Sequence, residues 1–221
     1  LGTIVVSERL ENEDFYNSWN KLGFGKSLGL MPSVENPGQL RHYSKWGLSD
    51  KRSLSFGHGP MTTNLAQLAR AYLIFANEGA LPSLKLIKNT YDDQMQQVFT
   101  PESTQRIAEI LDSVTSMKGS GYRAVIDGYE VAGKTGTAEM VIDGKYSKDG
   151  AKRTYFVGFS PVINPKYIMA VRLDYPKKCF VSWDPTLRNR CEGSNSAAMA
   201  FQKAMERILI NDPEIQSKLE S

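Results

Sequence analysis

Cysteine is scarce in this sequence: Cys179 and Cys191 are its two among 221 residues. That excludes the disulfide-scaffold class, whose short secreted chains carry more than about 8–10% cysteine. Long apolar runs are missing as well. The longest, such as Leu73–Ala76 and Ile168–Val171, extend for a few residues, whereas a membrane-spanning helix requires roughly 20. An excess of one charge is also lacking. The 27 Lys plus Arg stand against 24 Asp plus Glu, scattered among one another instead of forming a basic stripe, which argues against nucleic acid as a partner. No repeat, heptad array or low-complexity tract occurs, so solenoid, coiled-coil, collagen and disordered classes fall away. What remains is 41% hydrophobic and 23% charged, sized for one large domain or two small ones and long enough to bury a core. The first residue is Leu1, and Leu1–Val6 reads as the middle of an element already under way. The sequence is therefore expected to be the C-terminal piece of something longer.

Apolar periodicity predicts helices over 12–22, 63–78, 100–117 and 195–210. In the first, Phe15, Trp19 and Leu22 share a face and Gly23 follows as a stop. The second takes Thr62 or Thr63 as its cap, buries Leu65, Leu68, Ala69, Tyr72, Phe75 and Ala76, and ends at Gly79. Pro101 opens the third, with Ile107, Ile110, Leu111 and Val114 inward. Ala198, Phe201, Met205, Ile208 and Leu209 form the inward face of the fourth, the closing helix.

Strands are predicted over 129–134, 154–160 and 167–173, within a strand region spanning 129–174. Asp143-Gly144, Asp149-Gly150 and Asn164-Pro165 supply the turns. The short connection 161–166 is hairpin-sized, so the strands on either side of it are antiparallel. Helices, then strands, then a helix is the order of an α+β fold with an antiparallel sheet flanked by helices. Residues 24–58 are rich in Gly, Pro and polar residues and read as a long surface loop region.

Gly128–Thr135 matches the phosphate-loop pattern G-x-x-x-x-G-K-[ST] letter for letter. Its surroundings do not: a phosphate loop opens a helix, and Gly136–Ile142 is too short and β-branched to be one. The same residues contain Lys134-Thr135-Gly136-Thr137, a K-T-G on a strand. In serine acyl-transfer enzymes that act on D-alanyl peptides and β-lactams, such a strand supplies a positive charge beside the nucleophile, hydroxyls for a carboxylate, and a glycine that lets the acyl group lie against the backbone.

Two further segments give this reading weight. Phe56–Tyr72, containing Gly57-His58-Gly59 and Thr63-Asn64-Leu65-Ala66-Gln67-Leu68-Ala69, resembles the G-[YQ]-G-x-x-x-T-P-L-Q-L-A-x-A-Y segment of class B penicillin-binding proteins. Ala132–Ala138 resembles their A-G-K-T-G-T-A strand, and Phe156–Pro161 their strand ending in G-F-x-P. Ser55-Phe56-Gly57 leans toward the division-specific septal branch over the elongation branch.

This resemblance implies most of one penicillin-binding, serine β-lactamase-like transpeptidase domain, left incomplete. The activity implied is peptidoglycan cross-linking by acyl transfer from D-Ala-D-Ala stem peptides through a serine acyl-enzyme that β-lactams also form. A D-alanyl carboxypeptidase, a β-lactamase, or a β-lactam sensor without turnover remains open on the same fold. Of the family's three motifs, S-x-x-K, S-x-N and K-[ST]-G, only the last stands in a suitable place. The nucleophile is thus expected outside these residues, and the piece alone is expected to be inactive.

The resemblance also assigns roles. Lys134 assists proton transfer; Thr135 and Thr137 hold the substrate carboxylate; the Thr137 N–H forms half of an oxyanion hole; Gly136 permits close approach. Gly57 and His58 are candidates to line the site, with a plain turn as the competing reading of His58. No metal or cofactor is implied. The implied partners are stem peptides, β-lactams and membrane proteins of a division complex, at the periplasmic face of a bacterial inner membrane with the anchor in a preceding segment. In that oxidising compartment Cys179 and Cys191 are expected to form a disulfide across 180–190, a closure contributing on the order of 3 kcal/mol.

Overall fold

A computed structural model describes residues 2–31, 33–87, 94–147, 151–177, 179 and 191–219. They divide into two units, Leu1–Thr104 and Gln105–Ser221. The expected turn at Asp149-Gly150 and the segment 180–190 lie outside the described residues.

The first unit begins with helices α1 (Gly2–Glu8) and α2 (Asn12–Lys21), the latter close to the predicted 12–22. Phe15 and Trp19 meet edge-on 6.0 Å apart, and Phe24 packs 5.2 Å from Trp19. Residues 24–58 prove more ordered than their composition predicts. They hold strand β1 (Gln39–Leu40) and helix α3 (Leu48–Leu54), whose start is closed by the Gly47 N–H donating to Asp50 Oδ2 at 2.8 Å. Leu54 alone buries that short helix, so no apolar stripe announced it.

Strand β2 (Met61–Thr62) pairs antiparallel with β1 and leads into α4 (Leu65–Ala76). The cap of α4 is Asn64, not Thr62 or Thr63: its side chain accepts from the Gln67 N–H at 2.8 Å, one of the helix's orphan donors. The buried face also differs from the expected stripe. It is Gln67, Ala71 and Ile74, while Leu65 is exposed. Gln67 can face inward because its amide nitrogen donates to the carbonyls of Lys26 at 2.6 Å and Pro37 at 2.8 Å, and a buried amide with partners is tolerated where an unpaired one is not. Beyond Gly79, strands β3 (Ala80–Pro82) and β4 (Met95–Gln97) form a small antiparallel pair.

Helix α5 (Pro101–Thr115) opens with proline as predicted and runs from the first unit into the second. Its inward residues include Thr104, Leu111 and Thr115, whereas Ile107 and Ile110 face solvent, a correction to the expected face. The second unit is built on a sheet of β5 (Ala132–Glu139), β8 (Lys152–Ser160) and β9 (Tyr167–Asp174), in the order β5-β8-β9 and antiparallel throughout. Between β5 and β8, β6 (Val141–Ile142) and β7 (Lys145–Tyr146) form a hairpin turning at Asp143-Gly144.

The first strand of this sheet lies further along the chain than the predicted 129–134. Tyr129 bridges to Ile126 instead, and the glycine- and threonine-rich stretch takes the strand because an unbroken ladder to β8 supplies its hydrogen bonds. Helix α6 (Ala197–Ile210) packs on β8 and β9, followed by α7 (Pro213–Leu219). The core joins Phe156 of β8 to Phe201 of α6, ring centroids 4.6 Å apart, with Ile126, Val131, Ala198, Met205 and Leu209 around them. Ile208, expected inward, is partly exposed. No helix among the described residues is long and apolar enough to cross a membrane.

Candidate active site

Strand β5 is an edge strand of its sheet among the described residues, and its register decides what that edge presents. The N–H of Met140 donates to the Ala151 carbonyl at 2.9 Å just past the strand end. Along an antiparallel ladder, residues alternate between pairs that exchange hydrogen bonds and pairs that do not. The pairs Ala138–Arg153, Gly136–Tyr155 and Lys134–Val157 are therefore the bonded ones. Thr135 and Thr137, opposite Phe156 and Thr154, direct their backbone N–H and C=O away from β8 to the free edge.

Side chains alternate in the other dimension. Thr135 and Thr137 stand on the face that carries Phe156 and α6, and Lys134 stands on the opposite face. The lysine returns to the hydroxyl by wrapping around the edge: its Nζ lies 3.1 Å from the Thr135 carbonyl oxygen and 3.3 Å from Thr135 Oγ1. The residue is exposed, yet desolvation of the ammonium against the strand lowers its pKa below the ordinary lysine value. A cation, hydroxyls and an unpaired strand edge thus converge on one short segment.

Two residues outside the motif complete the surroundings. Ser120 Oγ lies 3.3 Å from Thr135 Oγ1, extending the lysine–threonine contact. Its turn depends on Gly119, where a Cβ would sit 2.0 Å from the Val114 carbonyl oxygen. On the other side, the Gly193 N–H donates to Thr137 Oγ1 at 2.9 Å. The sequence reading named neither residue. Gly119-Ser120-Gly121 was a visible turn signal just ahead of the strand, whereas nothing local marked Gly193. Cys179 and Cys191 are joined, with Cα atoms 5.3 Å apart.

Gly57 and His58 belong to the first unit and are described there. They form the turn after α3: Gly57 has φ +81° and donates to the Leu54 carbonyl at 3.0 Å, and His58 donates through its backbone to Ser53 at 2.9 Å. The imidazole is exposed, with the Phe56 ring 5.5 Å away.

This arrangement sets a lysine, paired threonines and an outward N–H on one sheet edge, the layout of the K-T-G strand that the sequence resembles. The chain belongs to the family described as penicillin binding protein transpeptidase domain, which it matches over residues 1–206. It is 33% identical to the "Probable peptidoglycan D,D-transpeptidase PenA" of Neisseria gonorrhoeae over 80% of this chain and 30% of that protein. It is 35% identical to the "Peptidoglycan D,D-transpeptidase FtsI" of Buchnera aphidicola subsp. Baizongia pistaciae over 94% of this chain and 34% of that one. The solved transpeptidase domain of Burkholderia pseudomallei penicillin-binding protein 3 matches with a TM-score of 0.82 at 26% identity, covering 96% of this chain and 62% of that one. The chain therefore spans about a third of the length of those curated relatives.

Proposed function

We propose that this chain supplies the K-T-G half of a peptidoglycan D,D-transpeptidase site. In the reaction, a serine Oγ attacks the carbonyl of the penultimate D-Ala of a stem peptide, the terminal D-Ala leaves, and an amine of a second stem accepts the acyl group. β-Lactams acylate the same serine. That serine is expected in sequence outside these residues, where the family's S-x-x-K motif belongs.

Each residue of β5 has its part. Lys134 places its ammonium beside the nucleophile, where its charge and hydrogen bonds assist the proton transfer that activates the serine. Thr135 and Thr137 donate to the carboxylate of the substrate or β-lactam. The Thr137 N–H stabilises the developing oxyanion, and Gly136 leaves room for the acyl group on the lysine face. The division-specific branch toward which Ser55-Phe56-Gly57 leans, the periplasmic face of an inner membrane, and partners in a division complex extend the same reading.

The observation that carries the proposal is the outward register of Thr135 and Thr137 at an edge shared with the Lys134 ammonium. Fluorescent penicillin labelling of the full-length protein, wild type and Lys134→Ala, tests it. The wild type is expected to label and the variant to label far more slowly. A wild type that never labels refutes the function, and a variant that labels normally refutes the role of Lys134.

A further inference from the structure

We propose that the turn Gly193–Asn195, anchored by the Cys179–Cys191 bridge, positions the Thr137 hydroxyl for the substrate carboxylate. The inference rests on the function proposed above and assigns residues that the K-T-G motif does not contain.

A threonine hydroxyl has one proton to donate and two lone pairs. The Gly193 N–H, 2.9 Å from Thr137 Oγ1, occupies a lone pair. Thr137 is exposed at the free edge, so its own proton is left to donate outward, the polarity that a carboxylate ligand requires. Without the Gly193 N–H the hydroxyl can turn its proton back toward the protein or to water, and part of the preorganisation is lost.

The turn is built to hold that N–H in place. Gly193 rests directly on the β5–β8 ladder: a Cβ there would stand 2.6 Å from the Gly136 carbonyl oxygen and 2.8 Å from that of Tyr155. Only glycine allows this approach. The Asn195 side chain accepts from the Glu192 N–H at 2.6 Å, and Ser196 Oγ reaches Thr154 Oγ1 at 2.9 Å, Thr154 being the residue opposite Thr137. Lys152 pairs with Glu192 at 3.6 Å. Cys191 is buried immediately before this turn, and its bond to buried Cys179 ties the turn to the chain that follows β9. Gly193 is thus a positioning residue that acts through its backbone, and the bridge limits the ways in which its N–H can stray.

The readout is recognition of the carboxylate. In the full-length protein, the second-order rate of acylation by benzylpenicillin is compared with that by its methyl ester, for the wild type, Thr137→Val, Cys179→Ala/Cys191→Ala and the triple variant. Thr137→Val is expected to reduce the acid-over-ester preference by about tenfold or more, the size of a hydrogen bond to a charged group. The double cysteine variant is expected to reduce it severalfold, and the triple variant to show no further loss beyond Thr137→Val. Should the cysteine variant fail to melt cooperatively, wild type reduced with dithiothreitol and then re-oxidised replaces it, with the preference expected to fall and return. An unchanged preference without the bridge, or an additive loss in the triple variant, overturns the inference alone. A wild type that is not acylated overturns the function and the inference with it.

Discussion

The ammonium of Lys134 and the hydroxyl of Thr135, neighbours whose side chains leave opposite faces of β5, meet at 3.3 Å around the strand's free edge. The contact leaves the lysine partly desolvated, and desolvation disfavours its charged form. A lysine pKa lowered in this way means that protonation, and any step needing the cation, is lost as pH rises, at a pH below the ordinary value of about 10.4. Acylation of the full-length protein by penicillin is therefore expected to decline on the alkaline side below that pH. In Lys134→Arg, whose guanidinium keeps its proton, the limb is expected to vanish even if the overall rate is lower. Stopped-flow acylation rates between neutral pH and pH 11 decide the matter, and an identical limb in the arginine variant removes Lys134 as its source.

The alternation of faces along β5 makes a second test. At Gly136 a Cβ would point to the lysine face and come within 3.3 Å of the Tyr155 Cβ, a tight but adjustable contact. At Gly133 it would stand 2.6 Å from the Phe156 ring and 2.7 Å from the Val157 carbonyl oxygen. Gly133→Ala is expected to destabilise the fold by about 1–3 kcal/mol through overpacking. Gly136→Ala should change stability by less than about 1 kcal/mol, while slowing penicillin acylation at least tenfold, because the new methyl occupies the acyl group's place. Thermal melts and labelling rates of the two variants separate the effects. Equal loss of stability in both would show that the faces are wrongly assigned.

Elements with a local signature were legible in the sequence. Pro101 opening α5, the Asp143-Gly144 turn and the hairpin between β8 and β9 all stand where the residues implied them. The failures share a cause. The expected strand 129–134 starts too early and stops short of Thr135–Glu139 because β5 is held by its ladder to β8, a partner distant in sequence, and not by β propensity of Tyr129 or Glu130. Gln67 was missed because a hydrophobicity pattern treats every amide as outward, while burial depends on whether carbonyls from elsewhere arrive to meet it. At the site, the K-T-G residues declared themselves by chemistry and spacing. Ser120 and Gly193 did not, since each acts through a contact that only the folded chain creates.

Gln67 supplies a stability prediction for the first unit. Fully buried, it donates to the Lys26 and Pro37 carbonyls and accepts from Thr63 Oγ1 at 2.8 Å. Gln67→Leu preserves bulk but strands those carbonyls, at about 1–3 kcal/mol for each buried group left unpaired. A clear loss of stability in chemical denaturation is expected. A leucine variant as stable as the wild type would mean that water reaches these carbonyls and the glutamine is no hub.

Asp212 carries the pH prediction for the second unit. Its carboxylate accepts from Lys166 Nζ at 2.7 Å, from the Tyr167 hydroxyl, and from the Glu214 N–H at 3.0 Å at the start of α7. The hydrogen bonds from Lys166 and Tyr167 hold its pKa well below the ordinary carboxylate range. A depressed carboxylate pKa stabilises the fold above the unfolded value of about 3.9, and the contribution is lost as pH falls through the folded value. Lys166, raised by Asp212 and then Glu214, contributes below the ordinary lysine pKa and loses its contribution only at strongly alkaline pH. Near neutral pH both are in place. Asp212→Asn should therefore lower the melting temperature at pH 7, and the gap to the wild type should narrow steadily as the pH is brought below about 4, where the carboxylate of the unfolded chain takes up a proton that the folded one resists. A gap that stays constant down to pH 2 would assign the aspartate's role to capping of α7 by a neutral-tolerant oxygen, with no part for its charge.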